Sequence, residues 1–284
     1  MFTTVAFANA AQGINAALTA LASVSDASLR QNGSGYIVPM LSRIPMIFAF
    51  GPTMTRAQIS STTLSQLAKQ EVEPVNNTFP GSGAATSYGH YFGDPLQLSP
   101  FEELDCSITN TAADGEYVIV WLSDGPLLPA AYFGPAAGQS IATPAQGPGA
   151  TPTLLTGQMF SVRATGATTL AVAGWTLCTL TMDQNLFPGH YQIIGARARS
   201  TNIVAFRFVV PGYAWRPGGI GNRSIAMPDL DEQRFGGWGI WAEFDSIQLP
   251  AIECLAQVAD TSEIFLLDLV RTGPIASTPP GQER

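Results

Sequence analysis

Val204, Phe206, Phe208 and Val210 occupy every second position of one short run, and Pro211-Gly212 closes it. Side chains alternate between the two faces of a strand, so this spacing predicts an extended segment with one apolar face. Cys178, Leu180 and Met182 alternate in the same way with Thr179 and Thr181. Tyr191 to Arg199 and Asn202 to Val210 flank a Ser200-Thr201 break, which predicts a hairpin. Gly236 to Phe244 reads as a Gly-relieved aromatic strand, and residues 252–258 and 264–271 complete the set. Many short strands separated by Gly and Pro suit a β-sandwich or jelly roll. No run of βαβ units appears, which argues against a nucleotide-binding α/β fold.

The first half is sparser. Tyr36 to Val38, Pro45 to Phe50, Glu71 to Val75, Cys106 to Asn110 and Tyr117 to Leu122 read as strands, roughly five or six with their neighbours. Residues 61–70 predict one short helix with Leu64 and Leu67 on one side. Residues 4–25 predict a longer one, because Phe7, Ala11, Ile14, Leu18 and Leu21 recur at alternating four- and three-residue steps. The opposite face is Thr, Asn, Gln and Ser. Phe7, Ile14, Leu18 and Leu21 are therefore the candidate interface, towards the chain's own body, a neighbouring subunit or a lipid surface. Interfacial helices usually carry Lys or Arg on the polar face, and this segment has none.

Charge is scarce throughout. Residues 1–25 contain no Lys, Arg, Asp or Glu, Lys69 is the only lysine, and charged residues make up 12% of the 284. A surface that meets only water is normally dense in charge. Much of this surface is thus expected to meet further copies of the chain, lipid, or both. The net charge is -8 and no basic tract exists, the nearest approach being Arg197 with Arg199. Gripping a nucleic-acid backbone needs Lys/Arg clusters, so direct nucleic-acid binding is not expected. Residues 125–162 carry no charge and centre on Pro144-Ala145-Gln146-Gly147-Pro148-Gly149-Ala150-Thr151-Pro152, the composition of a linker or long loop.

No catalytic constellation is legible. Cys106, Cys178 and Cys254 sit in apolar or alternating stretches and read as buried thiols, not as a disulfide framework. His90 and His190 each stand in Gly-His-Tyr, too short a repeat to carry chemistry. Gly81-Ser82-Gly83 lacks the Gly-Lys-Ser/Thr of a phosphate loop, and Asp229-Leu230-Asp231-Glu232 lacks the spacing of a calcium loop. No cofactor or metal is expected. Tyr213-Ala214-Trp215 and Trp238-Gly239-Ile240-Trp241 fit core, interface or a sugar-stacking platform. Ala20-Leu21-Ala22 resembles a signal cleavage site, but no positive region precedes it, so no secretory signal is read. The sequons at Asn32, Asn76 and Asn222 carry no weight without one.

The apolar segment at 4–25, a β-rich half ending near Leu122, the uncharged stretch at 125–162 and a second β-rich half ending at Arg271 together resemble the double jelly-roll major capsid proteins of tailless icosahedral bacteriophages with an internal membrane. The resemblance implies a mainly β fold, two tandem jelly-roll sandwiches with an N-terminal helix. Its expected segments are an N-terminal helical arm at 1–30, a first roll at 31–130, a linker at 131–160, a second roll at 161–272 and a tail at 273–284. It further implies a non-enzymatic homotrimer that tiles an icosahedral shell in a virion assembled in the host cytoplasm. Its partners would be itself, other capsid or vertex proteins and an internal lipid membrane. The competing reading is a secreted or surface β-sandwich that binds carbohydrate or mediates adhesion.

Overall fold

The computed structural model describes residues 2–24, 31–32, 34–39, 41–64, 69–72, 74, 90–123, 159–166, 168–198, 202–209, 216–220, 241–261 and 263–273. The first half runs through β1 (Phe2–Gln12), β2 (Asn15–Leu21), β3 (Gln31–Asn32), β4 (Gly35–Ile37), β5 (Ser42–Phe50), β6 (Met54–Ser60), β7 (Gln70–Val72), β8 (His90–Leu98), β9 (Glu103–Asn110) and β10 (Asp114–Ser123). The second half runs through β11 (Met159–Gly166), β12 (Trp175–Cys178), β13 (Leu180–Met182), β14 (His190–Ala198), β15 (Ile203–Val209), β16 (Gly218–Ile220), β17 (Ala242–Asp245), β18 (Ala251–Ala256) and β19 (Glu263–Gly273).

In the first half one sheet has the order β1-β10-β5-β8, and the other has β9-β6-β7 with β2 on the outer edge of β9. In the second half the sheets are β11-β19-β14-β17, with β13 on the β11 edge, and β12-β18-β15-β16. Among the described residues, and setting aside β3, β4 and β13, each half has eight strands, and in both the sheets hold strands 1-8-3-6 and 2-7-4-5. That order, repeated in both halves, is the jelly roll. The chain is two tandem jelly rolls. In each roll the connections after the first, third, fifth and seventh strands gather at one end. The others gather at the opposite end, with the roll's two termini.

Each roll closes around its own apolar interior. In the first, Val5 and Phe7 of β1, Ile47 and Ala49 of β5, and Val118, Val120 and Leu122 of β10 pack against Ile59, Cys106 and Ile108 of the facing sheet. In the second, Phe206 and Phe208 of β15 meet Trp241 and Phe265 in edge-on and tilted ring contacts. Such ring pairs add to the hydrophobic gain from burial.

The N-terminal segment corrects the sequence reading. Residues 2–12 and 15–21 are strands of the first roll, not a helical arm at 1–30. β1 pairs with β10 from Phe2↔Ser123 to Gln12↔Asp114. Thr3 to Phe7 are all buried, so both faces of β1 are covered and the period of two is hidden. β2 pairs with β9 through Asn15↔Asn110 and Thr19↔Ile108, a bulge that sets four residues against two. Next to this irregular pairing Leu18 and Leu21, three apart in the sequence, imitate a helical stripe.

Two further expectations are overturned. β14 and β15 do not form a hairpin. β14 pairs with β19 and β17, while β15 pairs with β18 and β16 in the opposite sheet, so the chain crosses the sandwich between them. The alternating run at 178–182 is not one strand either, because Cys178 ends β12 and Leu180 begins β13 in the other sheet. The core of the expected short helix (65–68), the bulk of the linker (131–158) and the tail beyond Gly273 lie outside the described residues.

Candidate functional site: the junction between the two rolls

Arg207 is the lone charge in the apolar strand β15. Its side chain leaves the strand opposite to Phe206 and Phe208, on the outer face of the second roll, yet it is 1% exposed. A buried guanidinium must find partners for its donors, and this one has three kinds. Nε donates to Glu253 Oε2 at 2.8 Å, directly across the β15–β18 ladder. The guanidinium carbon lies 3.9 Å from the centre of the Trp175 ring, a cation–π contact. Nη1 donates to the main-chain oxygen of Thr4 at 3.1 Å, on β1 of the first roll.

β1 is the edge strand of its sheet, and an open edge presents unpaired N–H and C=O groups. The second roll supplies partners for them. Thr4 N donates to Arg216 O at 2.9 Å, and Arg216 N donates to Thr3 Oγ1 at 2.9 Å. Further along the same edge, Val24 N donates to Ala6 O and Ala8 N donates to Ala22 O, so the chain's own return covers the rest. Trp121 Nε1 on β10 donates to Gly218 O at 3.0 Å. A Cβ at Gly218 would stand 1.9 Å from Phe206 O, so only glycine lets β16 lie this close to β15 and offer that carbonyl.

Apolar packing fills in around these bonds. Ala6, Ile119 and Trp121, from the face of the β1 sheet turned away from the first interior, join Ile203, Ala205 and Leu255 of the second roll in one continuous cluster. Phe48 packs edge-on to Trp121 within it, ring centres 5.5 Å apart. Thr3, Thr4 and Trp121 lie towards the terminal end of the first roll, and Arg207, Arg216 and Gly218 lie at the corresponding end of the second. The rolls therefore meet with like ends together.

The expected interface residues do not share one face. Phe7 and Leu21 lie in the first roll's interior, Leu18 is half-buried on β2, and Ile14 is 68% exposed in the turn between β1 and β2. Cys106, Cys178 and Cys254 are free and buried. Burial pushes the Cys106 and Cys254 thiols well above their ordinary range, with a thiol contact to Cys178 contributing at Cys254. His190 Nδ1 lies 3.0 Å from Asp245 Oδ1, across the β14–β17 pairing. Arg197 pairs with Asp268 at 3.3 Å in a buried position, so it is not part of a basic surface. Among the described residues no group of three or more His, Cys, Asp or Glu could hold a metal ion. None of the described helices is long and apolar enough to cross a membrane. Gly81-Ser82-Gly83, Asp229 to Glu232, Tyr213 to Trp215 and Trp238 lie outside the described residues, whereas Trp241 is core.

The junction escaped the sequence because its parts are spread between residue 3 and residue 255. One signal was present. A single Arg in the middle of Val204-Ala205-Phe206-Arg207-Phe208, opposite an equally isolated Glu253, is what a buried ion pair looks like in a strand.

No protein-family model matches the chain, and no curated protein matches it in sequence. Among solved structures, the major capsid protein P2 from bacteriophage PM2 is similar. It is 11% identical, with 98% of this chain and 100% of that one aligned, at a TM-score of 0.25.

Proposed function

We propose that this chain is a structural, non-enzymatic subunit of a viral shell, the major capsid protein of a tailless icosahedral bacteriophage, and that it assembles as a homotrimer. The observation that carries the reading is the junction. Two rolls of identical strand order are joined through a buried cluster and a buried Arg207, so each subunit offers two similar blocks as one unit. Three such subunits around an axis give a ring of six similar blocks, a shape that tiles a curved lattice. The scarcity of charge supports it, since obligate interfaces bury large apolar areas. Ile14 and Leu18 are the members of the expected interface that reach the surface, and they would meet a neighbouring subunit or an internal lipid membrane.

Size-exclusion chromatography with light scattering, followed by negative-stain microscopy, tests this. The expected outcome is a trimer that closes into shells. A monomer persisting at high micromolar concentration would overturn it.

A further inference from the structure

The last strand of each roll begins with the same arrangement. In β10, Glu116 heads the row Val118, Val120, Leu122 that faces the first interior. In β19, Glu263 heads the row Phe265, Leu267, Leu269 that faces the second. Both are 0% exposed, and each follows an aspartate in or beside the preceding turn, Asp114 and Asp260. Glu116 Oε1 accepts a hydrogen bond from Thr53 Oγ1 at 3.0 Å, the Asn110 side chain also favours the charged form, and Oε2 is buried with no hydrogen bond of ordinary geometry. Oε2 lies so close to Gly51 that a Cβ there would be 1.5 Å away. The Glu263 carboxylate faces the backbone N–H groups of Glu263 and Thr168, which favour its charged form, but neither oxygen makes a hydrogen bond of ordinary geometry.

Among the described residues, the groups facing them offer no positive charge. Around Glu116 stand Asp114 and Tyr117 on its own strand, Thr53 after β5, Asn110 at the end of β9, and Asn9 opposite on β1. Around Glu263 stand Asp260, the Thr168 backbone, Gly166 opposite on β11, and Cys254 on β18. A buried ionised carboxylate without a cation is costly, whereas a neutral carboxyl is tolerated.

We propose that Glu116 and Glu263 are a matched pair of proton-operated latches, protonated when the loop-bearing ends of the two rolls are closed and loosening those ends when they ionise. The proton leaves to water. Burial, with Asp114 adding repulsion, pushes Glu116 up to about 7, and burial with Asp260 pushes Glu263 upward too. Because the folded-state value is raised, the stabilisation is complete below the ordinary carboxylate value of 4.5, falls as pH rises from there and is gone above about 7.

Thermal unfolding of the full chain between about pH 4 and pH 9 reads this out. The wild-type midpoint is expected to fall as pH rises from about 4.5 to about 7 and to level off above it, and the E116Q/E263Q double variant, which fixes the neutral shape, should lose that fall while matching wild type at acid pH. A double variant that keeps the wild-type pH slope, or is less stable than wild type at acid pH, would overturn the proposal. Infrared spectroscopy of the wild-type protein gives a second readout that needs no variant. A carbonyl stretch from protonated carboxyl at near-neutral pH, slow to exchange in heavy water, is expected. Its absence would equally overturn the proposal.

Discussion

Arg207 in the second roll and Thr4 in the first are joined by a hydrogen bond of 3.1 Å from a buried guanidinium to a main-chain oxygen on a sheet edge. The bond does two things. It satisfies a carbonyl that β1 would otherwise present unpaired at its edge, and it ties that edge to the Glu253–Arg207–Trp175 stack of the other roll.

Replacing Arg207 by Ala strands both Glu253 and the Thr4 carbonyl. Breaking one side of a buried pair costs about 3 kcal/mol or more. Denaturant unfolding of Arg207→Ala, followed by tryptophan fluorescence and circular dichroism, should show the lower stability. It should also show a broadened or split transition as the rolls lose their common cooperativity. A single transition at the wild-type midpoint would mean that the apolar cluster alone couples the rolls.

Trp121→Phe tests the other bond across the junction. The substitution keeps an aromatic ring beside Phe48 but removes the donor to Gly218 O. An unsatisfied buried carbonyl costs about 1–3 kcal/mol, and the smaller ring adds a packing loss. Equilibrium unfolding should place Trp121→Phe well below wild type. A loss under about 0.5 kcal/mol would show that the carbonyl finds another partner.

The cysteines give a test of burial. Thiolate is the reactive form, and burial holds the Cys106 and Cys254 thiols protonated well past neutral pH. A thiol reagent at pH 8 should label none of Cys106, Cys178 and Cys254 in the native protein and all of them after unfolding. Fast native labelling at Cys178 would show that the sheet of β12 and β18 opens locally.

How much was legible follows from which faces are covered. Strands with one wet face, such as β9 with its regular alternation from Glu103 to Asn110, announce themselves. Strands buried on both sides need not: Thr3 to Phe7 of β1 are all buried, and the second covered face exists only because another roll lies on it. The expected hairpin failed for a topological reason. Sequence adjacency of β14 and β15 favours pairing, but in this jelly roll the third and fourth strands lie in opposite sheets. The crossing at Thr179 likewise leaves the alternation of Cys178 and Leu180 intact while splitting it between two sheets. The junction was the least legible part, because a main-chain oxygen has no sequence signature.

The N-terminal segment offers the sharpest discrimination between the helical reading and the strands. On a helix, Phe7, Ile14, Leu18 and Leu21 would share a face and respond alike to a charge. In the roll they do not. Phe7 is 0% exposed between β10 and the facing sheet, so Phe7→Asp buries an unpaired carboxylate and should cost several kcal/mol. Leu21→Asp should behave the same way, because Leu21 belongs to the same interior. Ile14→Asp puts a charge on an exposed turn and should leave the unfolding midpoint within about 0.5 kcal/mol of wild type. Circular dichroism and denaturant unfolding of the isolated subunits measure folding, and particle yield measures assembly. If Ile14 also serves as a contact between subunits or with lipid, Ile14→Asp folds normally and fails to form shells. Equal tolerance of all three substitutions in the folding assay would return the segment to a detached helix.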